Sequence, residues 1–158
     1  MILVDTREQK PIWNPKKSKS ASSCMLPEGD YTTHDLLGIA HIERKSPIDL
    51  YGSIIQNHER FRNEIQRAKE KNIKLAVFVE CPKEKFIAKK FHGGFRLHVH
   101  PGVLRKIIDT MEKKYSIEFV WCANRNDFKS KATLWFENQR ELNKKVNTSV
   151  KTSANKKS

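Results

Sequence analysis

Apolar residues recur along this chain with two different spacings, which predict an alternation of strands and helices. Short apolar or alternating runs are typical of strands, and they cover 1–6, 30–36, 39–45, 74–80 and 117–122. Longer stretches carry an apolar residue every three or four positions, as one face of a helix does. These stretches follow Pro47, cover 102–115 and begin near Asn126. Strands followed by helices in this order predict an α/β fold with a mixed sheet.

Each predicted helix has an apolar face that suits a core. The first face consists of Ile54, Ile55, His58, Phe61, Ile65 and Ala68. The second consists of Val103, Leu104, Ile107, Ile108 and Met111. The third, which is wide and aromatic, consists of Phe128, Ala132, Trp135, Phe136 and Leu142. The third face either belongs to the core or lies between two copies of the chain, and we favour the core. The run 74–80 is nearly all apolar and predicts a central strand covered on both faces.

Two of the predicted strands form a hairpin that concentrates charge. Residues two apart on a strand share a face, so Glu43 and Lys45 point one way and Arg44 the other. A reversal between Asp35 and Gly38 folds 30–36 back on 39–45, and with these two positions paired, Asp30 lies opposite Glu43. Two facing carboxylates, roughly 5 Å apart at Cβ, repel each other unless a cation lies between them.

A divalent ion is the natural cation for such a pair. Ligation by Asp and Glu oxygens alone suits Mg²⁺ or Mn²⁺, which keep several waters and accept phosphate oxygens. Lys45, on the same face, then orients an attacking water or neutralises charge that develops at phosphorus. The alternative is a surface hairpin with an ordinary pair of Glu43 and Lys45, which is the usual meaning of E-x-K by itself.

Composition adds a partner class to this hypothesis. The 158 residues suit one domain with a real core, and 31 Lys and Arg against 18 Asp and Glu give a formal net charge of +13 and a pI near 9.8. Such an excess favours a polyanion, although membranes and acidic proteins also attract it. Without a signal segment or an apolar run of membrane length, we expect no membrane partner.

The cysteines and histidines indicate neither a disulfide framework nor a second metal site. Cys24, Cys81 and Cys122 are odd in number and form no C-x-x-C pair, so we expect free thiols in a reducing, intracellular compartment. His92, His98 and His100 are spaced like metal ligands, but no other ligand pair stands near them. We favour exposed or polar-core histidines, with His100 at the start of a helix beside Pro101.

The charged positions of the hairpin also match a family signature, G-D, a gap, and E-R-K-x-x-x-D. The matching residues are Gly29, Asp30, Glu43, Arg44, Lys45 and Asp49, with a twelve-residue gap after Asp30. They resemble the nuclease domain of the xeroderma pigmentosum group F (XPF) family of structure-specific endonucleases, and stand-alone bacterial and viral members especially. V-D-T-R-E at 4–8, L-P-E-G-D-Y at 26–31 and A-N-R-N at 123–126 extend the resemblance over about 2–142.

The resemblance implies a fold, a chemistry and an assembly. The fold is a restriction-endonuclease-like three-layer α/β sandwich, a central mixed sheet flanked by helices. Asp30 and Glu43, with Asp5 beside them, are the implied ligands of Mg²⁺ or Mn²⁺, and Lys45 is the implied catalytic lysine. Asp5, Arg7, Arg44 and Asp49 complete the implied active site, and a homodimer forms through the nuclease domain. Three alternatives stay open: Asp5 as a solvated strand end, Asp49 as a helix cap and Arg44 as a structural ion pair.

Several basic residues are candidates for contacts with DNA. Lys16, Lys17 and Lys19 lie in a polar loop, 16–23, which we expect to be mobile and near the site. Arg60 and Arg67 lie on the charged face of the first helix. The division we predict is a nuclease domain over 1–142 and a basic, disordered tail over 143–158, whose five lysines attract phosphate loosely.

The sequence therefore predicts a metal-dependent DNA endonuclease acting at branched or double-to-single-strand junctions in repair or recombination. The tandem helix-hairpin-helix module of long family members has no counterpart after residue 142, so a protein partner is expected to supply further DNA binding. One rival is an inactive nuclease fold that only binds DNA or supports an active partner; the intact Asp30, Glu43 and Lys45 argue against it. A restriction-type enzyme is a weaker rival, because the chain offers no obvious recognition domain.

Overall fold

Six strands form one mixed sheet in the order β2-β1-β3-β4-β5-β6 in the computed structural model. The structure describes the backbone of residues 1–155 and the side chains of residues 1–150. The strands are β1 (Ile2–Asp5), β2 (Ala21–Cys24), β3 (Tyr31–Thr33), β4 (Ala40–Lys45), β5 (Lys74–Val79) and β6 (Glu118–Trp121). β3 runs antiparallel to β1 and β4, and the other neighbouring pairs are parallel. The carboxyl ends of five strands therefore share one edge of the sheet with the start of β3.

Helices cover both faces of this sheet. They are α1 (Pro47–Tyr51), α2 (His58–Glu70), α3 (Lys83–Ile87), α4 (Pro101–Tyr115) and α5 (Arg125–Asn155). The first four contribute to a core cluster with Val77 and Val79 of β5 on one face. Helix α5 packs on the other face, against a cluster that includes Ala76 and Phe78. This three-layer arrangement confirms the predicted α/β fold class and the predicted double covering of the 74–80 strand.

The aromatic stripe of α5 belongs to the core, as expected. Phe128 lies 5.1 Å from Phe78 between ring centroids, and Trp135 lies 6.1 Å from the same ring. Leu142 is the exception, because half of it is exposed to solvent. The prediction that Leu142 is a core residue is wrong: within residues 125–150 it follows the last buried residue, Gln139.

The single helix predicted after Pro47 is interrupted. Helix α1 leads into a π-helical turn over Gly52–Gln56, and α2 begins only after Asn57, whose backbone leaves the helical region. The N–H of Asn57 donates to the carbonyl of Gly52, five residues back. A π turn inserts one extra residue into the helix and so rotates the apolar face of α2 relative to that of α1. The interruption places α1 and α2 at two sides of one cleft.

Two segments predicted to lack regular structure have it. Residues 21–23 of the polar loop belong to β2, which pairs with β1 in parallel. Residues 143–155, for which we expected a disordered tail, continue α5; side chains beyond residue 150 and residues 156–158 lie outside the described part of the chain. Neither Gly nor Pro occurs between 125 and 155, so nothing in the local sequence ends the helix. The boundary predicted at residue 142 therefore falls inside a helix.

The remaining local predictions concern histidine, cysteine and membrane segments. His100 is the N-cap residue of α4, where its Nδ1 accepts a hydrogen bond from the N–H of Gly102, as expected. Cys24, Cys81 and Cys122 are free thiols. In the part of the chain that the structure describes, no helix has the length and apolar character needed to cross a membrane.

Candidate active site

Three carboxylates lie in a row across neighbouring strands at the shared edge of the sheet. Tyr31 pairs with Ile42 and Val4 pairs with Tyr31, so continuing both antiparallel registers by one residue places Asp30 opposite Glu43 and Asp5 opposite Asp30. Backbone hydrogen bonds fix Asp30 to both neighbouring strands, from Asp30 N–H to Ile42 O and from Asp5 N–H to Asp30 O, both 2.8 Å. Residues opposite each other share a face of the sheet. The predicted register of the hairpin is confirmed by the pair of Tyr31 and Ile42, and this register places Asp30 beside Glu43.

Gly29 makes this placement of Asp30 possible. Its φ of +76° is the left-handed region, and a Cβ at this position would lie 3.0 Å from the carbonyl oxygen of Ile42. A larger residue would therefore meet backbone as well as strain. The glycine lets the chain enter β3 tightly against β4, and the aspartate that follows is directed onto the same face as Glu43.

Glu43 and Lys45 form an ion pair on this face. Lys45 Nζ lies 2.7 Å from Glu43 Oε1, and both side chains are largely buried. Burial alone would lower the pKa of Lys45, but the carboxylate of Glu43 outweighs it and holds the pKa above its usual value. The ammonium also lies 5.4 Å from the centroid of the Phe61 ring on α2. Lys45 is thus kept charged and fixed in position next to the facing carboxylates.

Asp30 has an excess of negative charge around it. Burial and the charge of Glu43 raise its pKa well above the usual value for aspartate. The carboxylate accepts one hydrogen bond from the described residues, from the N–H of Arg44 at 2.7 Å. Oxygen capacity therefore remains on a carboxylate whose neighbour repels it, and a cation between Asp30 and Glu43 would relieve that repulsion.

This donor set fits Mg²⁺ or Mn²⁺. Within residues 1–150, no group of three or more carboxylate, imidazole or thiol side chains is arranged as a complete metal shell. Mg²⁺ does not need one, because it is usually held by one or two carboxylates and fills its other positions with water and substrate phosphate. Asp30 and Glu43 meet that requirement with oxygen ligands alone, and they are the residues that would hold the ion.

Asp5 lies in the row, but its carboxylate is already engaged. Arg7 Nε lies 2.6 Å from Oδ1 and Arg7 Nη2 lies 3.1 Å from Oδ2. The N–H groups of Leu26 and Arg7 donate to the same carboxylate. Burial would raise the pKa of Asp5, but these hydrogen bonds hold it below its usual value. Asp5 is therefore a charged, fully bonded strand end, and its role as a metal ligand stays a prediction.

Arg44 faces the opposite side of the sheet, as its position between Glu43 and Lys45 requires. Its Nε lies 2.7 Å from Glu8 Oε2, and its Nη1 donates to Glu80 Oε1. The backbone N–H of Arg44 donates to Asp30, but its side chain pairs on the other face, so the structure favours the structural ion pair that the sequence left open. Glu8 and Glu80 lie 36 positions away on either side, and nothing in the local sequence pointed to them.

The carboxylates form the floor of a cleft of about 610 Å³ between the sheet edge, α1 and α2. Asp49 lies on its wall, in the first turn of α1, where its N–H donates to the side chain of Ser46. Ser46 is thus the N-cap residue of α1, so the helix-cap alternative for Asp49 is wrong, and Asp49 lies in the first turn and lines the cleft. The cleft lining also includes Arg7, Glu28, Gly29, Ile48, Gly52, Ser53, Gln56, Asn57, Arg60, Phe61, Glu64 and Arg67.

Comparison with known proteins decides the family. A family model for the ERCC4 domain matches residues 4–131, most of the chain. The chain belongs to the ERCC4 domain family. The match confirms the resemblance to XPF-type nuclease domains, and it spans the whole signature from Gly29 to Asp49.

Solved structures support the same fold for this ERCC4 domain. XPF from Aeropyrum pernix in complex with DNA is 21% identical, with a TM-score of 0.60, and the match covers 92% of this chain and 65% of that one. XPF from Aeropyrum pernix without DNA is 22% identical, with a TM-score of 0.59, and the match covers 90% and 60%. The chain thus spans less than two thirds of either matched protein. No curated protein matches the sequence.

The predicted DNA contacts divide into two groups in this ERCC4 domain. Arg60 and Arg67 line the cleft, although Arg67 Nε also pairs with Glu28 at 3.1 Å. Lys16, Lys17 and Lys19 do not: they precede β2, at the end of the sheet opposite Asp5. A parallel strand must begin beside the start of its neighbour, so the connection carries these lysines away from the cleft. The expectation that they lie near the site is wrong.

Two acidic residues of the cleft were missed as site residues. Glu64 of α2 hydrogen-bonds Glu43, and burial together with the charge of Glu43 raises the pKa of Glu64 to about 7. Glu28 is buried and pairs with Arg67 and Lys71. A charged residue on an apolar helix face, between Phe61 and Ile65, was the available signal for Glu64. For Glu28 the signal was its place in L-P-E-G-D-Y, whereas its ion-pair partners were not predictable, because they lie about forty positions away.

Proposed function

We propose that this ERCC4 domain is a metal-dependent endonuclease that hydrolyses phosphodiester bonds of DNA. The observation that carries the proposal is the convergence of Asp30, Glu43 and Lys45 on one face, at the floor of an open cleft. Paired carboxylates next to an ammonium are the arrangement that hydrolysis of a phosphodiester with a divalent ion requires. The formal charge of +13 suits a polyanionic substrate.

The residues of the cleft have separate tasks in this reaction. A bound Mg²⁺ or Mn²⁺ supplies a Lewis acid for a phosphate oxygen and a bound water of lowered pKa. Asp30 and Glu43 hold that ion in place through their carboxylate oxygens. Lys45, fixed by Glu43 and by the Phe61 ring, orients the water and offsets the negative charge that develops at phosphorus. Glu64, whose pKa is about 7, is placed to take up a proton near neutral pH.

The walls of the cleft position the DNA. Arg60 is exposed on α2 and forms no ion pair with any side chain in residues 1–150, so it is available to a phosphate. Arg7 has a side chain that is two-thirds exposed above Asp5, and Arg67 stands next to Glu28. These guanidinium groups surround the carboxylates with positive charge, which attracts the backbone without reading its sequence.

The substrate that we infer is DNA with a branch or a junction between double and single strands. The support is membership of the XPF-type family and the likeness to a solved XPF in complex with DNA. We also infer a homodimer through the nuclease domain, by family analogy, and a protein partner that supplies further DNA binding.

A substrate and metal series tests the proposal. Purified protein is incubated with an end-labelled flap, a fork and a blunt duplex of the same sequence, in Mg²⁺, in Mn²⁺ and in chelator. We expect cutting of flap and fork near the junction in either metal, little cutting of duplex and none in chelator. Binding of all three substrates without any cutting would contradict the proposal and support an inactive DNA-binding module instead. Cutting of the blunt duplex at one defined sequence would support a restriction-type enzyme.

A further inference from the structure

A second surface lies at the mouth of the cleft. Residues 89–98, the rim loop, connect α3 to α4. The rim loop contacts α1, because a Cβ at Gly93 would lie 3.9 Å from Cδ1 of Ile48. Ile48 lines the cleft next to Asp49 and is itself 45% exposed. The rim loop is therefore separated from the cleft by a single side chain.

The rim loop is folded tightly on itself. Lys89 Nζ donates to the carbonyl of Leu97 at 3.0 Å and closes the loop. A Cβ at Gly94 would lie 2.1 Å from the carbonyl oxygen of Lys89, so only glycine fits where residue 94 packs against the backbone of Lys89. Phe91 anchors the loop by stacking on Phe86 of α3, with ring centroids 5.7 Å apart. A side chain on this loop is thus held in a defined place.

Phe95 is presented outward from this scaffold. Phe91 is packed, whereas Phe95, four residues later, is 78% exposed. The guanidinium of Arg96 lies 5.3 Å from the centroid of the Phe95 ring. One exposed apolar residue is common on a protein surface, but here it lies on an anchored loop, two residues after the glycine that faces Ile48, with an arginine over its ring. Phe95 and Arg96 thus present an exposed aromatic ring with a cation at its side.

The sequence segment around Phe95 carries positive charge only. No acidic residue occurs from 85 to 108, a stretch that contains six lysines and arginines. Lys90, His92 and Arg96 of the rim loop are exposed, and within residues 1–150 neither Lys90 nor Arg96 forms an ion pair. An aromatic face flanked by cations matches the two chemical features of an unpaired nucleotide, a base with an open π face and a phosphate.

We propose that the rim loop binds unpaired nucleotides of the substrate beside the cleaved strand. Phe95 stacks on a base, while Arg96 and Lys90 contact the phosphates on either side of it. Bases inside a duplex are already stacked and offer no free face, so this contact selects DNA with a single-stranded arm at the cleft. The inference rests on the proposed function, since it names the part of a junction that the enzyme recognises.

Binding without cutting tests this proposal. Fluorescence anisotropy in chelator measures the Kd of the full chain for a fork, for a single strand and for a blunt duplex. We expect Phe95→Ala to weaken binding of fork and single strand roughly tenfold, the usual scale for losing one stacked base, and to change duplex binding less than twofold. Phe95→Tyr keeps the ring and should bind like the parent. Leu134→Ala, which removes another exposed apolar side chain on the opposite layer, is the matched control.

A second readout locates the base. With 2-aminopurine placed in turn at each unpaired position, quenching on binding should be greatest at one position near the junction and should disappear in Phe95→Ala. Equal fork affinity in parent and Phe95→Ala, or an equal loss on the blunt duplex, would overturn the proposal. An altered oligomeric state of Phe95→Ala in light scattering, with fork affinity unchanged, would overturn it as well and assign Phe95 to a contact between copies.

The failures of the two proposals can be told apart. If the parent protein cuts forks in Mg²⁺ but binds them independently of Phe95, the nuclease proposal holds and the rim-loop proposal is rejected. If the parent protein cuts no substrate but binds single-stranded arms through Phe95, the nuclease proposal is rejected and the stacking site at Phe95 holds.

Discussion

The acidic side chains at the cleft floor oppose one another. Asp30, Glu43 and Glu64 share one partly buried site with the single ammonium of Lys45. The pKa of Asp30 is raised by burial and by Glu43, and the pKa of Glu64 is raised for the same two reasons to about 7. Perturbation of this kind costs stability and is typical of functional sites. The repulsion between these carboxylates favours a cation in the site.

The raised pKa of Glu64 predicts a pH-dependent stability. Between its ordinary pKa of 4.5 and about 7, the folded protein holds a proton that the unfolded chain has lost, so stability falls as pH rises through this window. Glu64→Gln removes that loss. In chelator we expect the variant to be more stable than the parent at pH 8, by about 1–3 kcal/mol, and equal to it near pH 4.

Urea unfolding of both proteins at pH 4, 6 and 8 measures the difference. Glu59→Gln, an exposed glutamate in the first turn of the same helix, serves as the control and should show no pH-dependent gain. The same difference between Glu64→Gln and the parent at all three pH values would contradict a raised pKa for Glu64.

Strand periodicity and pairing register explain which parts of the site were predictable. Alternation along β4 separates Glu43 and Lys45 from Arg44, and the turn between Asp35 and Gly38 sets the register, so both could be derived from local sequence. The partners of Arg44 could not, because they come from the segment after β1 and the end of β5. Strand β2 was also missed: A-S-S-C carries no strand pattern and pairs only because β1 offers its edge.

Arg44 of β4 links the segment after β1 to the end of β5 through two ion pairs. Its replacement should therefore reduce the free energy of unfolding more than a substitution on the surface would. Its side chain is 12% exposed and pairs with Glu8 and Glu80, so Arg44→Met removes the cation that both carboxylates share. We expect a loss of about 3–5 kcal/mol in the free energy of unfolding, measured by urea denaturation.

A compensating variant separates this role from chemistry. Arg44→Met combined with Glu8→Gln and Glu80→Gln should recover much of the lost stability, because no buried charge is left unpaired. Unchanged stability of Arg44→Met, together with a loss of cutting, would instead mean that Arg44 acts on the substrate.

Over the whole molecule, the cleft and the basic C-terminal segment lie toward different ends of the sheet. Helix α5 starts after β6 at the cleft edge and runs back to the hairpin turn, where Arg140 Nε pairs with Asp35 Oδ2 at 2.6 Å. The five lysines that follow residue 142 supply five of the thirteen formal charges. Composition predicted this charge, but the helix that extends it away from the cleft depends on packing over Phe128 to Gln139, which composition does not reveal.

The positive charge of these lysines predicts their effect on DNA binding. Replacing Lys144, Lys145, Lys151, Lys156 and Lys157 with glutamine should weaken binding to fork and duplex alike. The dependence of log Kd on log salt should become shallower, by at most about 4.5 for five lysines, since each phosphate contact contributes about 0.9 to the slope. Anisotropy titrations over a range of salt concentrations measure this, and the cutting rate at saturating DNA should not change. A changed preference between fork and duplex would contradict a purely electrostatic role.

The proposed nuclease mechanism depends above all on Asp30 and Glu43 holding a divalent ion next to Lys45. The single-turnover rate of fork cleavage in Mg²⁺, with enzyme in excess, tests this most directly for Asp30→Asn and Glu43→Gln, with Asp109→Asn of α4 as a control outside the cleft. Each site variant should lose at least about 100-fold in rate and keep the fork affinity of the parent in chelator, while the control cuts normally. Cleavage by either site variant at the parental rate would contradict the account.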